Sequence, residues 1–276
     1  MSESSAEARD GGHPVALVTG GGTGLGRAIA TRLAKDGYDL ALASRSEAHL
    51  GPTAIALRGD GAQVLTRATD VREPTAVDAL VDEVTKRYGR LDVLVNNAAG
   101  NFVAPAESLS PNGWRAVVGT VLDGSFYCCR AGFPLLRQSP RPSIVNVVAA
   151  YAWGAGPGTV HSAAAKAGVV ALTRTLAVEW APYGIRVNAV SPGPVHTEGT
   201  DAQLWTSPEI IDSVTRTVPL RRFGTPEEIA AGVAYLVGAQ AGYVTGQILT
   251  IDGGQSLGMG LMRLAPTPRP ASRSRP

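Results

Sequence analysis

The chain has 276 residues, a formal net charge of +2, 44% hydrophobic and 5% aromatic residues, and two cysteines. That length suits one α/β domain, and so weak a charge argues against nucleic acid or an anionic membrane surface as the partner. Cys128 and Cys129 are neighbours and make a poor disulfide, and His13, His49, His161 and His196 lack metal-ligand spacing, so neither a disulfide scaffold nor a metal site is expected.

In chain order, residues 1–13 are polar, carry no apolar signal core and read as a disordered tail. Residues 14–260 read as the folded domain, and 261–276 as a Pro/Arg-rich tail. No run approaches the roughly 20 apolar residues of a membrane span, so the expected compartment is the cytoplasm. Strand-like apolar runs lie at 15–18, 40–43, 64–68, 93–95, 144–148, 185–190 and 248–251. They are continuous rather than alternating, as strands covered on both faces should be. Helical patterns lie between them, at 74–88, 114–136 and 163–180 among others. Ser110-Pro111 offers a hydroxyl N-cap with proline at the first helical position, and Thr225-Pro226-Glu227-Glu228 spells a capping box. Repeated strand–helix alternation predicts an α/β Rossmann fold, a doubly wound parallel sheet of about seven strands. Ligands of such a sheet bind at the carboxyl ends of the strands.

The first strand runs into Thr19-Gly20-Gly21-Gly22-Thr23-Gly24-Leu25-Gly26, which opens a helix. Glycines let the chain turn tightly and approach a pyrophosphate, and the helix N-terminus adds free N–H groups. Gly20, Gly22, Thr23, Gly24, Leu25 and Gly26 are therefore candidate cofactor contacts. The second strand ends in Ser44-Arg45, where an NAD-specific enzyme usually carries an acid for the ribose 2′-hydroxyl. A guanidinium at Arg45 suits a 2′-phosphate and favours NADPH/NADP+; the alternative is an ordinary surface arginine.

The glycine pattern, T-G-x-x-x-G-x-G, resembles that of the short-chain dehydrogenases/reductases, and further motifs follow in the family's order over residues 14–258. The resemblance implies that Asp70 and Val71 meet the adenine, and that Asn97, Ala98 and Ala99 lie beside the adenosine ribose. It also implies that Pro192, Gly193, Val195 and Thr197 hold the nicotinamide carboxamide and phosphates. It gives residues 198–222 the role of a substrate lid. A homotetramer is implied as well, assembled through the long helices and the last strand, with Phe126, Tyr127 and Phe133 as a second apolar face.

The catalytic segment departs from the family's usual Ser and Tyr-x-x-x-Lys. Here it reads Ser162-Ala163-Ala164-Ala165-Lys166, and Ala149 stands where the usual serine would. Val121 replaces the usual helix asparagine. Tyr151 lies after the fifth strand, and Asn101 lies in Gly100-Asn101-Phe102. The Gly-Asn-Phe segment, the Val-Leu-x-Gly turn and the Tyr…Ser-x-x-x-Lys spacing resemble the 2,4-dienoyl-CoA reductase branch. That resemblance implies that Tyr151 and Asn101 polarise a thioester carbonyl while Ser162 and Lys166 organise the ribose and the hydrogen-bond network. Two aimed donors are what an enolate oxygen needs. A pocket-wall role for Tyr151 and a turn role for Asn101 are the alternatives.

Gly254-Gln255-Ser256-Leu257-Gly258 matches a hydrolase motif, but no Asp, Glu or His follows it, so it reads as a turn. His161 adjoins Ser162 and is a candidate substrate contact. Arg221 and Arg222 either meet a CoA phosphate or form a solvated pair. The expected function is NADPH-dependent reduction of a conjugated enoyl or 2,4-dienoyl thioester. The alternatives are a carbonyl reductase or alcohol dehydrogenase with Tyr151 as general acid, and a non-catalytic dinucleotide-binding sensor, which Ala149 and Ser162 favour.

Overall fold

The computed structural model describes residues 12–258; the expected C-terminal tail, the last two residues of the expected domain and nearly all of the N-terminal tail lie outside them. Seven strands form one parallel sheet in the order β3-β2-β1-β4-β5-β6-β7. They are β1 (Val15–Thr19), β2 (Asp39–Ser44), β3 (Val64–Ala68), β4 (Val93–Asn96), β5 (Ser143–Val147), β6 (Arg186–Pro192) and β7 (Ile248–Ile251). Every expected strand is present, shifted by no more than a residue or two at its ends.

The central strands are buried along both faces, which is why they read as unbroken apolar runs. In β1, Ala16 and Val18 face a layer made by α1 (Gly24–Lys35), α2 (Glu47–Gly59) and α9 (Pro226–Val237). Val15 and Leu17 face the opposite layer, made by α3 (Pro74–Tyr88), α5 (Gly124–Leu136) and α6 (Val160–Glu179). The period-2 alternation of a strand thus divides one apolar run between two cores. Cys128 and Cys129 are buried on α5, and the Asn96 amide donates to Cys129 Sγ at 3.3 Å.

Both expected caps form. Ser110 Oγ accepts from Gly113 N at the start of α4 (Pro111–Val118), and Thr225 and Glu228 close a capping box on α9. The expected 114–136 helix differs in detail. It begins at Pro111 and carries a π-helical turn over Gly119–Asp123, so it consists of α4, the π turn and α5. Val121, buried in that turn, packs in a third apolar cluster with Val148, Ala165 and Val169. The expected 163–180 helix starts earlier, at Val160, which places His161 and Ser162 inside its first turn. The lid segment folds into α7 (Glu198–Gln203) and α8 (Pro208–Thr217). Among the described residues, no helix is long and apolar enough to cross a membrane, and no group of three or more His, Cys, Asp or Glu could hold a metal ion.

Candidate active site

The strand order reverses between β1 and β4: β2 and β3 are laid down outward from β1 toward one edge of the sheet, and β5, β6 and β7 outward from β4 toward the other. A cleft of about 640 Å³ opens beyond the carboxyl ends of β4, β5 and β6. Of the residues singled out in the sequence, Leu25, Asn97, Ala99, Asn101, Tyr151, Lys166, Pro192, Gly193, Val195 and Thr197 line it. Ser162 lies just behind that wall, and Gly20, Gly22, Thr23, Gly24, Gly26, Ser44, Arg45, Asp70, Val71 and Ala98 extend away from it around β1, β2 and β3.

The glycine turn is held by main-chain and amide contacts. Gly20 adopts a left-handed φ of +64°, and its N–H donates to the Ala43 carbonyl at 2.7 Å. At Gly26, a Cβ would fall 2.0 Å from the Gly20 oxygen, so only glycine lets α1 begin there. Asn97 Nδ2 donates to the Thr19 and Gly20 carbonyls at 3.0 and 3.3 Å, while Thr19 Oγ1 accepts from the N–H groups of Asn97 and Ala98. Asn97 is therefore a clamp on the turn as well as part of the cleft wall.

The outer residues are placed as follows. Ser44 Oγ donates to the Ser46 carbonyl at 2.8 Å, and Arg45 stands exposed at the end of β2, without a hydrogen bond or ion pair among the described residues. The Asp70 carboxylate is gripped by Arg72, which holds its pKa below the usual range, and Val71 is buried against Gly124. Thr23 gives α1 no side-chain cap. A glycine turn closed to any Cβ, a helix start uncapped by its own N-cap residue and an unpaired arginine beyond β2 fit the pyrophosphate and 2′-phosphate of a dinucleotide.

At the opposite end, Tyr151, Ser162 and Asn101 come together. Tyr151 sits in a short 3-10 turn after β5, and its hydroxyl lies 3.0 Å from Ser162 Oγ on the first turn of α6. Asn101 Nδ2 donates to the same phenol oxygen at 3.4 Å, and Asn101 Oδ1 accepts from Phe102 N at 3.0 Å. Burial pushes the Tyr151 phenol above its ordinary value, with the Ser162 hydrogen bond opposing in part. It is a neutral donor throughout the physiological range. Lys166, one helical turn after Ser162, lines the cleft and donates to the Val147 carbonyl at 2.5 Å. Burial lowers its ammonium to about 8.

The segment expected to form a lid borders the remaining side. Its first residue, Glu198, accepts from Gly24 N at 3.0 Å and from Arg27 at 2.5 Å, tying the lid to the start of α1. The Thr197 hydroxyl caps α7 by accepting from Thr200 N. Arg222 is paired with Glu228, and Arg221 Nη1 donates to the Arg216 carbonyl, so both arginines are engaged within the protein. His161 is fully buried edge-on to Phe102, with ring centroids 4.5 Å apart, and lies outside the cleft wall.

Several lining residues were not singled out as site residues: Trp153, and Leu204, Trp205 and Val214 within the expected lid. Gln255 and Ser256, read in the sequence only as a turn, also line the cleft, and their place after the carboxyl end of β7 could have marked them.

A family model described as Enoyl-(Acyl carrier protein) reductase matches residues 20–256. The chain is 46% identical, over 87% of its length and 96% of the relative's, to a probable 2,4-dienoyl-CoA reductase, (2E)-enoyl-CoA-producing, of Bacillus subtilis (strain 168). It is 40% identical to a peroxisomal 2,4-dienoyl-CoA reductase, (3E)-enoyl-CoA-producing, of Danio rerio, over 87% of this chain and 80% of that protein. A crystal structure of a short chain dehydrogenase from Bacillus anthracis superposes with a TM-score of 0.80 at 44% identity, covering 88% of this chain and 96% of that one. The crystal structure of levodione reductase gives a TM-score of 0.84 at 35% identity, covering 88% and 98%.

Proposed function

The chain belongs to the short-chain dehydrogenase/reductase family, and on that premise we propose that it is an NADPH-dependent reductase of conjugated acyl thioesters, with 2,4-dienoyl-CoA as its substrate class. The observation that carries the reading is the Tyr151 hydroxyl, set between the Asn101 amide and the Ser162 hydroxyl in a buried wall next to Lys166. The names of the two relatives above support the choice of thioester.

NADPH, held by the glycine turn, Arg45 and Lys166, would supply the hydride that adds to the distal carbon of the diene. Negative charge then moves through the conjugated system to the thioester oxygen. Tyr151 and Asn101 donate to that oxygen as the charge arrives, in a site where water is displaced and each donor counts for more. The Ser162 hydroxyl donates to the phenol oxygen, which leaves the phenol proton for the substrate. Lys166, which lines the cleft, would hold the nicotinamide ribose in this reading. Arg45 would pair with the 2′-phosphate. A proton delivered to the carbon next to the carbonyl gives the 3-enoyl product; delivery two carbons further gives the 2-enoyl product. We also propose that the chain assembles as a homotetramer. Of the residues expected to form a second apolar face, Phe126 on α5 is exposed, as is Val178 on α6, whereas Tyr127 and Phe133 pack against the core beneath α5.

The likeness to levodione reductase favours a second reading, reduction of a ketone with Tyr151 as general acid. The test is NADPH consumption on a panel of 2,4-dienoyl-CoA, 2-enoyl-CoA and cyclic ketone substrates, with product isomers identified. Dienoyl-CoA turnover well above the others is expected. Ketone turnover alone supports the second reading. Dinucleotide binding with no turnover of any substrate favours a sensor.

A further inference from the structure

Two indoles line the cleft, and they are held very differently. Trp153 is 49% exposed, and among the described residues its ring takes part in no aromatic stack or side-chain hydrogen bond. Trp205 is half-buried and fixed from several directions. Its Nε1 donates to the Val195 carbonyl at 3.1 Å, and its backbone N–H donates to the Thr200 carbonyl at 2.9 Å. Its ring stands edge-on to Phe223, with centroids 5.2 Å apart, and Phe223 stacks on His196 at 4.5 Å. His196 Nδ1 is in turn 2.8 Å from Asp201 of α7. The stack is anchored to main chain, because Val195 and Gly224 form a parallel β-bridge and Gly224 N donates to the Pro194 carbonyl at 2.9 Å.

A ring held at its N–H, its backbone and its contact with Phe223 cannot swing aside without breaking several contacts together. The alternative for a half-buried lid tryptophan is plain lid packing, with no bearing on the ligand. Two features oppose that. Trp205 borders the same cleft as Tyr151 and Lys166, and the residues of its own segment on that border are Leu204 and Val214 together with the uncharged Thr200 and Thr217. Apart from Lys166 the lining carries no charged side chain, which suits an alkyl chain and not a charged one.

We propose that Trp205 is the chain-length gauge of the site: a rigid end wall that limits how much of a substrate's alkyl chain the cleft accepts. The proposal rests on the thioester reading above. Each methylene buried short of the wall strengthens binding about fourfold. The chain that meets the wall loses that gain and is rejected by about tenfold or more per added methylene. The Val195 tether gives the wall a second consequence. Val195 lies in the loop expected to hold the carboxamide, so the indole that limits the chain also steadies that loop.

The test is kcat/KM for straight-chain 2,4-dienoyl-CoA thioesters of increasing length, with the parent, Trp205→Ala and Trp205→Phe, each with saturating NADPH. The parent profile is expected to rise and then break. Trp205→Ala should move the break outward by several methylenes and raise activity on chains beyond the parent's break by about tenfold or more. Trp205→Phe keeps an aromatic wall, and its break should stay within about one methylene of the parent's. A parent-like circular dichroism spectrum and retained NADPH binding establish that each variant is folded. A break that stays put in Trp205→Ala while all three proteins turn over overturns the gauge and leaves the thioester reading intact. Absence of turnover and of binding for every thioester in the folded parent overturns that reading and the gauge with it.

Discussion

On the β1–β3 side of the cleft, the surface offered to a ligand is mostly main chain; on the β5–β6 side it is side chain. The first is a glycine turn so tightly folded that Gly26 abuts the Gly20 oxygen. The second is Tyr151, Lys166 and Trp205, each aimed by its own helix, turn or stack. A main-chain surface has one solution, because the glycines that make it have no substitutes. A side-chain surface can be rebuilt from neighbouring positions, and here it has been: Ala149 and Ser162 replace two hydroxyl-bearing family positions, yet a phenol, a hydroxyl and an amide still converge.

The same substitution made in each half tests this contrast most severely. Gly26→Ala puts a methyl into the Gly20 carbonyl and should cost about 4 kcal/mol or more, with loss of dinucleotide binding. Gly199→Ala on the lid meets nothing within 4 Å and should stay within about 0.5 kcal/mol of the parent. Urea unfolding measures both, and equal effects would break the contrast.

Lys166 sharpens it next. Burial holds its folded value at about 8 against 10.5 when exposed, so the unfolded chain binds more protons between those pH values. Stability contributed by this site should therefore rise with pH across that window, by about 3 kcal/mol in all, while the cost of the buried cation is felt in full below it. Lys166→Met should lack that slope. Parallel stability curves for the two proteins from pH 8 to 10 would contradict the assignment.

Tyr151→Phe removes a donor and keeps the ring, so kcat on the best thioester should fall about 10²-fold with NADPH affinity little changed. Ser162→Ala should be milder. Full activity in the first and none in the second would make Ser162 the working hydroxyl. The last test returns to the β1–β3 side. Arg45→Ala should weaken NADPH by about 1.5–3 kcal/mol and leave NADH nearly unchanged, as measured by fluorescence titration.

What could be read in the sequence follows the same division. Two-faced burial writes the strands as apolar runs, and a turn that admits only glycine writes its own spacing, so fold and cofactor loop are legible. Tyr151 and Asn101 became candidates only because their spacing resembled a branch of the family. Trp205 gave no signal, since its place depends on a β-bridge between Val195 and Gly224 and on a ring stack assembled across the lid. The π turn at Gly119–Asp123 was hidden in a helical pattern that it interrupts without changing composition.

The paired thiols of α5 have a practical corollary. Both are buried, and burial pushes Cys129 up to about 12 and Cys128 higher still. At neutral pH both are therefore thiols rather than thiolates, and the sulfurs are shielded from reagents as well. The folded enzyme should therefore be inert to iodoacetamide and maleimides with its native sequence intact. A cysteine introduced at the exposed lid residue Thr206 would then be the single site to take a fluorophore, turning lid movement into an optical signal.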